Sequence, residues 1–259
     1  NTLIGVNDKV GHSIATLISD SKSLTHLDIS DNAFLPEELN DILTYTSIPW
    51  NSTLTSLNLS RVGLTAKSAR TLALGLLSHK SGGNLLDLNI SNNKLDARSL
   101  DDYASIVGHG NVPLEKLDIS GNSMDDTTAK KFGKSLQARS CSSLRHLKMN
   151  AIDRAKELGY EQIKCDGFRE LIEGAMEWKM LKKLEINGHY IRSSGAISFS
   201  QSINRTGLRY VDLRNNQIGE RGAIAIAYAC ATSGTPVETP VGYQNCLKTL
   251  LLEGNPVEE

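Results

Sequence analysis

The sequence predicts an α/β solenoid, with short parallel strands on one side and helices on the other, and three observations predict it. First, an eleven-residue pattern, L-x-x-L-x-L-x-x-N-x-L, recurs with substitutions as LTHLDISDNAF (24–34), LTSLNLSRVGL (54–64), LLDLNISNNKL (85–95), LEKLDISGNSM (114–124), LKKLEINGHYI (181–191), LRYVDLRNNQI (208–218) and LKTLLLEGNPV (247–257), with one more start at Leu144. Second, the first leucines at 24, 54, 85, 114 and 144 are spaced by 30, 31, 29 and 30 residues, the self-similarity of a repeat array. Third, the pattern gives way to apolar residues at helical spacing, as in Ala69, Leu72 and Leu76.

Taken in order, residues 1–20 read as the tail of an earlier repeat, with Val10, Ile14, Leu17 and Ile18 on one helical face. In the first full repeat Leu27 and Ile29 stand two apart, so both point to the core, while Asp28 between them points outward. The ninth position carries Asn32, Asn93, Asn122, Asn216 and Asn255. Its amide can bond backbone groups that no sheet partner satisfies, and stacked copies make a ladder. Val62 and His189 replace it. His189 is expected to substitute in the ladder rather than bind metal, because no second metal-binding side chain lies at strand or helix spacing from it. Late in the chain, IGERGAIAIAYAC places Ala223, Ile226, Ala227 and Cys230 on one helical face.

This is the leucine-rich repeat signature, and a step near 30 residues with a full helix is its ribonuclease-inhibitor-like type. About eight repeats, starting near 24, 54, 85, 114, 144, 181, 208 and 247, are expected to form one domain over 1–259. The expected shape is a horseshoe with a concave parallel sheet and convex helices. Neither end carries the polar cap a solenoid needs, so the chain is expected to be a piece of a longer protein.

Two repeats are overlong, by the steps 144→181 and 208→247. Aligning EQIKCDGF with NQIGERGA makes Ile163 the eleventh position of the fifth repeat, fourteen residues after Met149 where five are usual. That predicts a nine-residue insertion at about Asn150–Leu158, just after the strand. The other excess, TSGTPVETPVGYQNC (232–246), is a Pro- and Gly-marked loop between helix and strand, on the opposite rim. Either loop could carry binding or be a neutral surface insertion.

The outward strand positions lean acidic early (Asp28, Asp31, Asp87) and basic in the middle (Lys116, His146, Lys148, Lys183). The inserted loop adds Asp153, Arg154, Lys156 and Glu157 beside that basic middle, and Tyr210, Asp212 and Arg214 follow. A protein partner with an acidic or mixed-charge patch is the expectation, with Tyr210 as the best aromatic anchor.

Apolar residues make up 39% and charged residues 22%, with a net charge of −1. The charge argues against a general nucleic-acid binder, and no apolar run nears the roughly 18–20 residues of a membrane helix. Cys141, Cys165, Cys230 and Cys246 form no CxxC pair. Reduced thiols in a cytoplasmic protein are expected, with a Cys230–Cys246 disulfide as the rival reading. KFGKS (131–135) lacks the earlier glycine of a phosphate loop, since position 128 is Thr, and falls in a helical stretch. The sequons at Asn51, Asn58, Asn89 and Asn204 are read as unused, two of them being products of the repeat. No motif for catalysis, cofactor or metal is present.

Within the repeat class, LTHLDISDN, LTSLNLSRVGLTAKSARTLALGL and LEKLDISGN are similar to repeats of the CARMIL family. That resemblance implies a regulator of actin capping protein, with a membrane-binding pleckstrin-like domain before the repeats and a capping-protein-binding tail after them. DLRNNQIGERGAIAIA is equally similar to repeats of NOD-like receptors and of Ran GTPase-activating proteins. The functional expectation is a non-catalytic protein-interaction scaffold, with a Ran-type GTPase-activating protein and a ligand-sensing repeat domain as alternatives.

Overall fold

The computed structural model describes residues 9–44, 52–78, 84–109, 112–138, 143–152, 155, 157–178, 180–232 and 247–256. The chain divides into two compact units, the first comprising 1–122 and 140–144, the second 123–139 and 145–259. Both are built of α/β leucine-rich repeats. The first unit runs α1 (Lys9–Asp20), β1 (His26–Asp28), α2 (Pro36–Leu43), β2 (Ser56–Asn58), α3 (Ala66–Ser78), β3 (Asp87–Asn89), α4 (Asp101–Gly108) and β4 (Lys116–Asp118). The second runs α5 (Asp126–Gln137), β5 (His146–Lys148), α6 (Cys165–Glu177), β6 (Lys183–Glu185), α7 (Arg192–Ser202), β7 (Tyr210–Asp212), α8 (Glu220–Thr232) and β8 (Thr249–Leu251).

Within each unit consecutive strands pair in parallel and in the register of the repeat. Leu27, Leu57, Leu88 and Leu117 stack in the first unit, and Leu147, Leu184, Val211 and Leu250 in the second. Leu57, Leu88, Leu117, Leu147, Leu184 and Val211 are buried, each worth about 1.5–3 kcal/mol relative to an exposed side chain.

The ninth-position ladder is present. The Asn93 side-chain oxygen accepts from the N–H groups of Val62, Gly63 and Leu64, each at 3.1 Å, and its amide donates to Leu59 O at 2.8 Å and Ile90 O at 2.9 Å. Asn122 repeats this on Asn93, Leu95, Ile90 and Ile119, and Asn255 on Asn216, Ile218, Leu213 and Leu252. Each amide thereby satisfies backbone groups where the chain leaves the strand. The eighth position of seven repeats is left-handed, with φ from 54° at Arg61 to 77° at Gly188. Gly and Asn suit that region.

Two apolar faces expected from the sequence are only partly buried. Leu17 on α1 is 54% exposed, and Ala227 on α8 is exposed along with Ile224 and Tyr228. Among the described residues α1 packs on α2, and α8 on α7 and on the short 3-10 turn at 203–205.

The KFGKS glycine has a structural role. Gly133 of α5 and Gly174 of α6 meet backbone to backbone. A Cβ on Gly174 would collide with the Gly133 carbonyl oxygen and stand 2.7 Å from its Cα. Phe132 and Leu136 on the same helix are buried.

Candidate functional site

Residues at the first and third places of each strand carry the outward side chains, and cross-strand pairs hold many of them. In the first unit, Asn58 Nδ2 donates to Asp28 Oδ2 at 2.9 Å, and Arg61 grips Asp31 at 2.5 and 2.9 Å. The Lys116 ammonium meets Asp87 at 2.9 Å. These strands bound a groove of about 320 Å3 lined by His26, Asp28, Ser56, Asn58, Asp87, Asn89 and Lys116. The hydrogen bond from Arg61 holds the Asp31 carboxyl below its usual range.

In the second unit the residues expected to lean basic are drawn together around an acidic one. His146, Lys148 and Lys183 converge on one carboxylate, Glu185. His146 Nε2 lies 2.8 Å from Oε1, Lys183 Nζ 2.8 Å from the same oxygen, and Lys148 Nζ 3.6 Å from Oε2. Burial opposes the charge of Glu185. The hydrogen bonds from His146 and Lys183 and the charges of both lysines outweigh it, and the pKa falls to about 2. Glu185 thus offsets one of the two lysine charges. Lys183 also sits 4.3 Å from the centre of the Tyr210 ring, a cation–π contact.

Beside this cluster, Asp212 is fully buried. Arg214 closes on it with Nε–Oδ1 3.0 Å and Nη2–Oδ2 2.8 Å, and the Arg214 N–H and Asn187 Nδ2 add 3.1 and 3.4 Å bonds. Burial opposes ionisation of Asp212, but the Arg214 bonds prevail and hold its carboxyl low; the same pair raises Arg214. Arg214 is therefore committed to a buried carboxylate first and to any partner second.

The insertion begins two residues later than expected. The Ala151 N–H donates to Asn187 O at 2.9 Å, just as Asp31 donates to Ser60 O at 3.0 Å and Arg61 to Ser91 O at 3.1 Å. Asn150 and Ala151 therefore hold the seventh and eighth positions, and the nine extra residues are 152–160. Ala151 is also the one eighth-position residue that is not left-handed, so the chain leaves the repeat path there. Within the insert Ala155 is buried and Leu158 is 60% exposed. Asp153, Arg154 and Lys156 lie outside the described residues, as do Cys141, Cys246 and nearly all of the 232–246 stretch.

His189 bridges the ends of this interruption. Its Nδ1 accepts the Ile163 N–H at 3.1 Å, so Nε2 carries the proton and donates to Met149 O at 2.6 Å. Those are the sixth-position carbonyl and eleventh-position amide that Asn93 and Asn255 bind in their own preceding repeats. Burial lowers the His189 pKa to about 4, and with both ring nitrogens engaged it is a ladder residue. Among the described residues no group of three or more His, Cys, Asp or Glu could hold a metal ion. No described helix is long and apolar enough to cross a membrane.

Three segments, 20–35, 110–133 and 206–227, match the leucine-rich repeat family model. In sequence, the chain is similar to the Mus musculus "NACHT, LRR and PYD domains-containing protein 4E", 29% identical over 114 residues. That match takes in 44% of this chain and 11% of the mouse protein. A solved structure, that of the Rad7 and Elc1 complex in yeast, aligns over 85% of this chain and 63% of its own at 15% identity and a TM-score of 0.39.

Proposed function

We propose that this chain is a non-catalytic, cytoplasmic protein-interaction scaffold whose partner lies across the outward strand positions. The observation that carries this reading is the lateral pairing of those side chains, Asn58 with Asp28, Lys116 with Asp87, His146 with Glu185 and Lys183 with Tyr210. Side chains ordered beforehand lose less freedom on binding. In the second unit Lys148, Lys183 and Arg214 are balanced by Glu185, Asp212 and Glu253, so the partner surface is of mixed charge rather than simply acidic. Tyr210 is the aromatic anchor. The loop bearing Asp153, Arg154 and Lys156 is a second contact, joined by sequence to the end of β5.

Capture from cell extract with immobilised chain tests this, comparing wild type, Tyr210→Ala, Thr249→Arg and a deletion of 152–160. A partner lost from the first two variants, with circular dichroism unchanged, supports the strand face. Equal capture by all four excludes it. Regulation of actin capping, suggested by the CARMIL-like repeats, is tested with purified capping protein, and a GTPase-activating role by GTP turnover of small GTPases. The alignment with the mouse NACHT protein favours a second reading, the repeat region of a larger ligand-sensing protein, in which the strand face would contact a ligand or another part of that protein.

A further inference from the structure

We propose that the second unit carries a separate pocket, a cavity of about 490 Å3 lined among the described residues by Lys164, Cys165, Tyr190 and Arg192, that binds an acidic peptide with one carboxylate between Lys164 and Arg192. This site lies where two consecutive repeats turn from strand to helix, not on the outward strand positions, and does not depend on the reading above.

The walls are fixed by the backbone. Lys164, extended at φ −109° and ψ −173°, is the last residue before α6 and forms an isolated parallel bridge with Tyr190. The Tyr190 N–H donates to Ile163 O, and the Arg192 N–H to Asn216 O, each at 2.9 Å. Tyr190 and Cys165 are half-buried and form the apolar floor, while Lys164 and Arg192 are exposed at the rim.

The two rim cations call for an anion. Among the described residues no carboxylate pairs with either side chain; Arg192 lies 5.9 Å from the centre of the Tyr190 ring. The start of α6 is already served, since Asp126 Oδ1 accepts the N–H groups of Lys164 at 2.7 Å and Gly167 at 3.2 Å. Among the described residues the unmet positive charge is therefore that of the two side chains. The volume falls in the range of ligand pockets, and the apolar floor beneath a cationic rim fits a peptide that alternates acidic and apolar side chains: the carboxylate meets the rim, and its apolar neighbour lies on Tyr190 and Cys165.

Cys165 provides a local reporter. Its iodoacetamide alkylation in the full 259-residue chain is followed by mass spectrometry, with Cys230 on α8 as reference. The probes are a blocked octapeptide alternating glutamate with leucine and its glutamine counterpart, and amide chemical shifts of Lys164 and Tyr190 are recorded with the same peptides. The expected result is a saturable, several-fold slowing at Cys165 alone, with shifts at Lys164 and Tyr190, by the glutamate peptide only, lost in Lys164→Glu and Arg192→Glu. Absence of both slowing and shifts, equal protection by the glutamine peptide, or protection retained in both variants would overturn the proposal. So would slow alkylation in the free protein that Lys164→Glu speeds up, which would mean that an acidic segment of this chain already fills the pocket.

Discussion

Glu185→Gln tests whether one carboxylate organises the strand face of the second unit. In the wild type its two oxygens receive His146 and Lys183 at 2.8 Å and Lys148 at 3.6 Å, with only 12% of the side chain exposed. The gap between an ordinary 4.5 and about 2 corresponds to about 3 kcal/mol of preference for the ionised form. Glutamine keeps one acceptor but replaces the other oxygen with a donor facing a lysine. The lysines can turn partly to water, being 27% and 37% exposed, so the expected loss at pH 7 is smaller, about 2 kcal/mol. The pH dependence gives a second measure. The carboxyl has a lower pKa folded than unfolded, so its stabilisation is complete above 4.5 and disappears as pH falls toward 2. Urea unfolding across that acid range should show a shallower loss of stability in Glu185→Gln than in the wild type. Stabilities equal within about 0.5 kcal/mol at pH 7, with superimposable acid limbs, would refute the hub.

His189→Asn should remove a different window. The imidazole is held neutral near a pKa of about 4 against an ordinary 6.5, so its contribution is complete above 6.5 and is lost as pH falls toward 4; the variant should lose less stability than the wild type across that range. His189→Ala leaves Met149 O and the Ile163 N–H without their partner and should cost roughly 2–4 kcal/mol by urea unfolding at pH 7. Gly174→Ala forces α5 and α6 apart and should cost about 1–3 kcal/mol, while Gly159→Ala, whose added Cβ meets nothing within 4 Å although its φ is 74°, should cost less. Arg214→Ala should be at least as damaging as Glu185→Gln, because it strands the buried Asp212 carboxylate, and thermal unfolding at pH 7 checks the order.

The repeat made the fold legible because each of its residue choices answers a local demand: leucines two apart face one side of a strand, and an amide at the ninth position closes the turn. The same periodicity held the information about the site, but between repeats rather than within them. Lys183 and Glu185 share a face because they are two apart, and the register sets His146 and Lys148 beside them. A list of outward residues only sums their charges, whereas the pairing of neighbouring strands gathers three basic side chains on Glu185. The depth at which Asp212 is buried had no such signal, since the same strand position of another repeat holds the exposed Asp28. The insertion was legible to within two residues, and Ala151 carried the missing information. Seven repeats place Asp, Arg, Asn or Gly at the eighth position with positive φ, and the fifth alone has alanine and does not adopt it. Alanine is poorly suited to the left-handed turn, so the residue that leaves the repeat path is also the one least able to follow it. One repeat later, histidine stands where asparagine is usual and binds the carbonyl and the amide on either side of the insertion. The two departures from the pattern, at Ala151 and His189, are thus parts of one accommodation, and restoring only one of them should not restore an ordinary repeat.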